Sequence, residues 1–186
     1  MNYLTSWFNK SKIIKTIEGS DCATNPELCF NRVGNRYATV KDDVEITVYK
    51  QTNLLGARIL TTLKLPPKTK VHLCPNAWTE LFGGKNLNDP SLNKCRAEKA
   101  RVIKMETINH SAPVQEPIQE SVSHNDPYFV YQLDNVVKSS TFFDENCFAN
   151  PLSSACNTNF VDLSSVVCRA GIHFFFDKKN AEEYRD

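Results

Sequence analysis

The residues with the widest chemical repertoire in this chain are cysteines, and their number is odd: seven among 186 residues. They are Cys22, Cys29, Cys74, Cys95, Cys147, Cys156 and Cys168. No two of them have the two-residue spacer of a zinc-binding pair, and none lies at zinc-finger spacing from a histidine. We therefore expect no metal site and reduced thiols, several of them buried, with disulfides formed in an oxidising setting as the alternative.

Other catalytic patterns are weak. A strand would place His72 and Cys74 on one face, where a base and a nucleophile can meet. With seven Cys and four His in the chain, however, one near pair is expected by chance. Asp42-Asp43 and Glu182-Glu183 are typical of an exposed turn and an exposed helix, and no Gly-rich phosphate loop or hydrolase motif occurs. The sequence predicts no catalytic residue, no cofactor and no enzyme.

The near-neutral charge of the chain argues against nucleic-acid binding. The chain has 22 Lys and Arg against 21 Asp and Glu, a net charge of +1, whereas nucleic-acid binders usually carry a clear basic excess. No apolar run reaches the ~18 residues of a membrane span, and the first residues lack the features of a signal peptide. We expect a soluble globular protein that binds no nucleic acid and has no membrane span.

One local basic run stands out against this neutral background. It consists of Lys94, Arg96, Lys99, Arg101 and Lys104. The simplest interpretation is a solvated strand face, and the alternative is a contact for an acidic partner or a phosphate group.

The N-terminal residues predict a helix. Leu4, Trp7, Phe8, Ile14 and Ile17 follow the three- and four-residue spacing of an apolar stripe, which indicates an amphipathic helix over residues 3–17 that ends at Gly19. The stripe can pack on the protein's own core, on a partner or on a membrane surface.

After residue 40 the hydrophobic period changes to two. Val44, Ile46 and Val48 alternate with polar residues, and the stretch from Ile59 to Leu65 repeats the pattern. Further candidate strands are 71–73, 101–108, 128–137 and 172–176, and a closing helix is predicted over 177–184 with Asp177 as its N-cap. The fold class is α+β, mainly antiparallel strands with an N-terminal amphipathic helix and a short C-terminal helix, in a single domain over 1–186.

Two stretches interrupt this order. Residues 110–127 contain Pro113, Pro117 and Pro127 and few core-forming residues, which predicts a Pro-rich surface loop. Residues 141–165 combine Phe142, Phe143 and Phe148 with many polar residues. This irregular apolar insert is expected to pack on its own domain or on a neighbour.

Two C-terminal blocks resemble an uncharacterised domain of large DNA viruses of amoebae and algae, which often follows pentapeptide repeats. They are the segment KCRAEKARV from Lys94 and the segment CRAGIHFF from Cys168, followed by AEEY in the last helix. The resemblance covers roughly residues 55–185. It implies a viral protein made in the host cytoplasm and suits a minor capsid or cement protein of the virion.

On this interpretation the partners are capsid proteins, either the major capsid protein or other minor ones, and self-association is possible. Aromatic and aliphatic side chains at the two apolar segments would make the contacts, because such residues dominate binding energy at interfaces. The candidate interface residues are Trp7, Phe8, Ile14, Phe142, Phe143 and Phe148.

Two alternatives remain open. The first is a host-directed adaptor that binds a cellular protein through one groove. The second arises because Gly171-Ile172-His173-Phe174 with Ala181 and Tyr184 is similar to a block of poly-ADP-ribose-polymerase-type transferases. That similarity implies a pocket at His173 and Tyr184, but the His-Gly pair on which those transferases rely does not occur in this chain.

Overall fold

The computed structural model describes residues 13–33, 37–73, 94–108, 117–124, 126–139 and 171–184. The described strands are β1 (Lys15–Glu18), β2 (Phe30–Arg32), β3 (Tyr37–Val40), β4 (Val44–Leu54), β5 (Ala57–Leu65), β6 (Lys70–His72), β7 (Cys95–Ala97), β8 (Lys99–Thr107), β9 (Glu120–Ser123), β10 (Val130–Gln132), β11 (Val136–Lys138) and β12 (Ile172–Phe174). The helices are α1 (Gly19–Thr24) and α2 (Lys178–Glu183), and Pro26–Leu28 forms one 3-10 turn.

The alternating segments of the sequence form the centre of the fold. β4 and β5 pair antiparallel from Ile46↔Leu65 to Leu54↔Ala57. A two-residue turn, Leu55-Gly56, joins them, and both of its residues have positive φ angles, 51° and 87°, as a tight hairpin turn requires. The strands predicted at 44–49, 59–65, 71–73, 101–108 and 172–176 are confirmed, with ends shifted by a few residues.

Two sheets are built around this hairpin. The large sheet has the order β10-β9-β4-β5-β8-β11, with β1 added parallel to β4, and the small sheet has the order β12-β7-β6-β3-β2. All pairings except that of β1 are antiparallel. The prediction of mainly antiparallel strands is therefore confirmed.

Three of the connections between the sheets are short corners. β3 leads into β4 through residues 41–43, β5 into β6 through 66–69, and β7 into β8 through Glu98. Each corner takes consecutive strands from one sheet into the other, which is how a folded β-sandwich encloses a core.

The core lies between the two sheets. Ile46, Val48 and Leu63 of the large sheet and Val71 and Phe174 of the small sheet are fully buried in one cluster. A second, smaller cluster of Leu60, Phe175 and Ala181 packs α2 against the large sheet. Since inward and outward residues alternate along a strand, the period-two pattern of the sequence selects which side chains fill this space.

The N-terminal helix prediction is wrong where the structure describes it. Residues 15–18 form β1, which pairs with β4 from Lys15↔Val44 to Glu18↔Thr47, and Gly19 begins α1 instead of ending a helix. Ile13, Ile14, Thr16 and Ile17 are β-branched and favour extended backbone. Residues 3–12 lie outside the described residues.

Two further expectations are corrected. Cys22 and Cys29 form a disulfide, so they are not reduced thiols, and both are fully buried beside Phe30 in the core. Within the predicted surface loop 110–127, residues 120–123 form β9, and Ile118 and Ser121 are buried. The apolar insert 141–165 lies outside the described residues.

The C-terminal helix is confirmed together with its cap. The Asp177 carboxylate accepts hydrogen bonds from the backbone N–H groups of Lys179 and Asn180, which satisfies two donors that a helix start leaves open. In the described part of the chain, no helix is long and apolar enough to cross a membrane.

Candidate functional site

The edge of β4 that faces away from β5 is shared by three separate segments. β1 pairs with residues 44–47, Phe175 exchanges two backbone hydrogen bonds with Tyr49 at 2.8 and 2.7 Å, and β9 pairs with residues 52–53. Between the last two segments, Lys50 and Gln51 have ladder partners on the β5 side alone among the described residues. The pairing along this edge is therefore interrupted at these two residues in the described part of the chain.

A small, open concavity lies beside Lys50 and Gln51. Its lining comes from four parts of the fold: Lys50, Gln51, Lys94, Ser123, His124, His173, Phe175 and Tyr184. Among these described lining residues none carries a carboxylate, whereas ammonium, imidazole, hydroxyl and amide groups are all represented.

Lys94 is held on one wall of the pocket by Tyr184. Its ammonium group donates a hydrogen bond of 2.8 Å to the Tyr184 hydroxyl and lies 4.5 Å from the centre of the ring. The Tyr184 ring in turn lies 5.2 Å from the ring of Phe175. Lys94 is 7% exposed, so its charge is placed in a largely dehydrated environment, where electrostatic interactions are stronger than in water.

Lys50 occupies a comparable position on the inner face of β4. It is 8% exposed, and its ammonium group lies 5.7 Å from the centre of the Tyr131 ring. Burial raises the pKa of the Tyr131 hydroxyl, so this group is neutral at physiological pH. Beside it, the hydroxyl groups of Ser121, Thr52 and Thr61 form a buried chain of hydrogen bonds at 2.8 and 2.7 Å.

The C-terminal end of α2, which carries Tyr184, is fastened to the hairpin by Arg58. The guanidinium of Arg58 donates to the Gln51 side chain at 2.8 Å, to the Tyr184 carbonyl at 3.2 Å and to the Glu182 carbonyl. These bonds fix the position of the aromatic ring at the pocket.

A second attachment joins the start of α2 to β8. Lys178 donates to Glu106 at 2.8 Å, and Lys104 donates to the same carboxylate at 2.6 Å. The hydrogen bonds from Lys104 and Lys178 hold the pKa of Glu106 below its ordinary value. Near the same helix, burial and then the Glu18 carboxylate raise the pKa of Tyr49.

Apolar side chains are exposed at both ends of β4. Ile13 and Ile14, which lead into β1 beside the start of β4, are 84% and 51% exposed. Leu55, at the hairpin turn that ends β4, is 98% exposed. Its φ angle of 51° is unfavourable for a leucine, because left-handed backbone crowds the side chain.

The predicted site residues fall into two groups. Of the candidate interface residues, Ile14 is exposed, while Trp7, Phe8, Phe142, Phe143 and Phe148 lie outside the described residues. Their role at an interface stays a prediction. His173 and Tyr184 are both among the residues that line the pocket, and the transferase-like alternative stays a prediction. Sequence reasoning did not connect them to Lys50 or His124, because strands β4 and β9 are distant in the chain.

The predicted His72–Cys74 pair and the predicted basic strand face do not form the expected arrangements in the described residues. His72 is 5% exposed and packs against the ring of Tyr37 at 4.9 Å, and Cys74 lies outside the described residues. The basic run is not one solvated face, since Lys94 and Arg96 are buried and Arg101 forms an ion pair of 2.6 Å with the buried Glu45. Within the described ranges no cluster of three metal-ligating side chains occurs.

Comparison with known proteins gives one match. The model of a protein family described as being of unknown function matches residues 36–154, more than half of the chain. The matched range contains the central hairpin and β9, and it ends before β12 and α2. No curated protein and no solved structure matches the chain.

Proposed function

We propose a role for this chain, which belongs to the family of unknown function DUF5758, from the resemblance of its sequence to viral proteins and from its exposed apolar sites. The protein is a non-enzymatic structural component of a large DNA virus particle, a minor capsid or cement protein that bridges capsid subunits. Its location is the virion, after synthesis in the host cytoplasm.

The observation that carries this proposal is the pair of exposed apolar sites at opposite ends of β4. Ile13 and Ile14 form one site and Leu55 forms the other. The strand between them has eleven residues, which at about 3.3 Å per residue separates the sites by roughly 35 Å. A protein that bridges two neighbours needs two separated contacts on a rigid spacer, and the paired hairpin provides that spacer.

Leu55 supports the proposal because neither its exposure nor its backbone favours leucine. The Asn53 side chain accepts a hydrogen bond of 2.9 Å from the Gly56 N–H. The residues on either side of Leu55 are therefore typical turn residues. Asn and Gly are the residues that tolerate positive φ at such turns. A residue that is unfavourable for the fold and fully exposed fits a contact that forms on assembly.

The proposal is tested first by quantitative mass spectrometry of purified, protease-washed virions beside infected-cell lysate. A fixed ratio to the major capsid protein in the particle supports the structural role. Abundance in the lysate with absence from virions contradicts it and favours the host-directed adaptor.

Two variants then test the two ends of β4. We expect Leu55→Asn to raise the free energy of unfolding by up to about 1 kcal/mol, since Asn tolerates positive φ, while incorporation into virions falls. Ile13→Asn with Ile14→Asn should also reduce incorporation with little effect on stability. Val136→Asn is the matched control, because Val136 is 52% exposed on the opposite edge of the large sheet.

The combination of results is decisive. Incorporation of Leu55→Asn and of the double isoleucine variant at the wild-type level would contradict the bridging role. Loss of incorporation with Val136→Asn as well would show that any exposed apolar residue is needed, and the two-site assignment would fail. Trp7→Ala with Phe8→Ala extends the test to the remaining N-terminal candidates.

A further inference from the structure

Two lysines lie directly opposite each other on the outward face of the large sheet, near its β11 edge. Lys99 of β8 and Lys138 of β11 are register partners, and like charges in directly opposed positions destabilise a sheet. Neither ammonium group forms an ion pair or a hydrogen bond in the part of the chain that the structure describes. The carboxylate of the adjacent Glu98 is directed to β6, where it accepts a hydrogen bond of 3.4 Å from the Lys70 N–H. The repulsion between the two lysines is therefore not compensated by the described residues.

The neighbouring side chains on this face add further positive charge. Arg101 follows Lys99 two residues along β8, and Lys64 of β5 is the register partner of Arg101. Arg101 and Lys64 share one carboxylate, that of Glu45, at 2.6 and 3.1 Å. Because this carboxylate already has two cationic partners, it leaves an excess of positive charge on a face of a chain whose net charge is only +1.

The strand that carries Lys138 is also an edge of the large sheet. β11 pairs with β8 on one side, and within the described ranges no strand pairs with its other side. The Ser139 N–H donates to the Glu98 carbonyl at 2.9 Å. Since successive residues of an antiparallel strand direct their backbone groups alternately to the two sides, those of Val136 and Lys138 point away from β8. An added strand can therefore form backbone hydrogen bonds at these two residues.

The two lysines decide which strand can be added. Lysine on an edge strand is a common protection against pairing with a like edge. Pairing with the same edge of a second copy brings two lysine pairs together, which opposes self-association at this edge. Carboxylates on an added strand instead lie beside the lysines and compensate their charge, because side chains on neighbouring strands are in direct reach of each other. The charge of this edge thus selects an acidic strand.

We infer that the β11 edge binds an extended acidic segment of another protein by strand addition. Backbone hydrogen bonds at Val136 and Lys138 hold the segment, and its acidic side chains compensate the charges of Lys99 and Lys138. Val136 contributes only its backbone groups, which the Val136→Asn variant retains. The edge is separate from the two exposed apolar sites at the ends of β4, so the inference does not depend on the bridging role and survives if that role fails.

The test is an NMR titration of the full chain with the hexapeptide Thr-Glu-Thr-Glu-Thr-Glu at low ionic strength. Saturable shifts of the Val136 and Lys138 amide signals are expected, and added salt should weaken the binding by screening. Lys99→Thr and Lys138→Thr should each raise the dissociation constant about threefold, the effect of losing one exposed ion pair. Neither variant should lower the stability, since each removes a contact between like charges. Lys15→Thr is the matched control, because Lys15 is an exposed strand lysine on β1, and it should leave the affinity unchanged.

Two further ligands separate strand addition from simple charge attraction. The same peptide with every backbone nitrogen methylated keeps its charge but has no N–H donors, and it should bind about tenfold more weakly. A single-stranded DNA of six thymidines carries charge without a peptide backbone and should bind more weakly than the unmodified peptide. Equal or tighter binding of either ligand at this edge overturns the inference. So does the absence of shifts at Val136 and Lys138, or wild-type affinity in both Lys99→Thr and Lys138→Thr.

Discussion

On one side, β4 pairs with β5 over nine consecutive residues through a two-residue turn. On the other side its length is divided, among the described residues, between β1, Phe175 and β9, which come from three distant parts of the sequence. The continuous side carries the central hairpin and the exposed Leu55 at its turn, whereas the divided side carries the pocket and the exposed isoleucines. The two candidate contact sites thus lie at opposite ends of β4, one on each side.

The largest expected effect tests the continuous side. Leu63 lies opposite Val48 and Val102 and is fully buried. We expect Leu63→Ala to lower the free energy of unfolding by about 2–5 kcal/mol through lost burial and a residual cavity. Urea denaturation measures this loss, and Leu55→Ala on the same hairpin should change stability by less than about 0.5 kcal/mol. A small loss for Leu63→Ala would mean that the hairpin is not the centre of stability.

An intermediate effect is expected on the divided side at Gly19. A Cβ at this position would lie 2.5 Å from the Phe176 carbonyl oxygen and 2.7 Å from that of Thr47. Because both are backbone atoms, Gly19→Ala should displace α1 and β1 and cost about 1–3 kcal/mol. Ser20→Ala, at an exposed neighbour, is the control.

Hydrogen exchange locates the effect of Gly19→Ala. Amide exchange in β1 should accelerate while the amides between β4 and β5 keep their protection, since segments open as separate units when their contacts weaken. Uniform acceleration in all strands would show that the two edges of β4 are energetically one unit.

The smallest effect concerns the ion pairs that hold α2 on β8. A carboxylate with a lowered pKa stabilises the fold above its ordinary pKa, and this contribution disappears as the pH falls through the lowered value. Glu106→Gln should therefore cost about 0.5 kcal/mol at neutral pH and nothing in acid, where the wild-type group is protonated as well. Urea denaturation at both pH values checks this, and an equal loss at both would assign the effect to packing.

The continuous side of β4 and the C-terminal helix are predicted well, because the sequence patterns that specify them are local. The alternation of apolar and polar residues along β4 and β5 determines which face of each strand is buried, and Asp177 marks the start of α2 as its N-cap. Neither inference needs knowledge of a distant partner.

The divided side is poorly predicted for the opposite reason. Ile14 and Ile17 fit helical spacing as well as they fit a strand, and pairing with β4 decides between the two. The Cys22–Cys29 disulfide could not be predicted, because the spacing of cysteines in a sequence does not determine which of them pair. The pocket joins residues from β4, β9 and β12, so no local pattern could have revealed it, although His173 and Tyr184 were each marked by the resemblance.

The three short corners between the sheets have a kinetic consequence. At each corner two consecutive strands belong to different sheets, so neither sheet can be completed while the other is unformed. Unfolding should therefore be a single cooperative transition. Folding should be slow, since pairing strands that are distant in the sequence closes large loops, and the loss of chain entropy precedes the favourable contacts. A fragment that contains the large sheet alone should therefore remain unfolded.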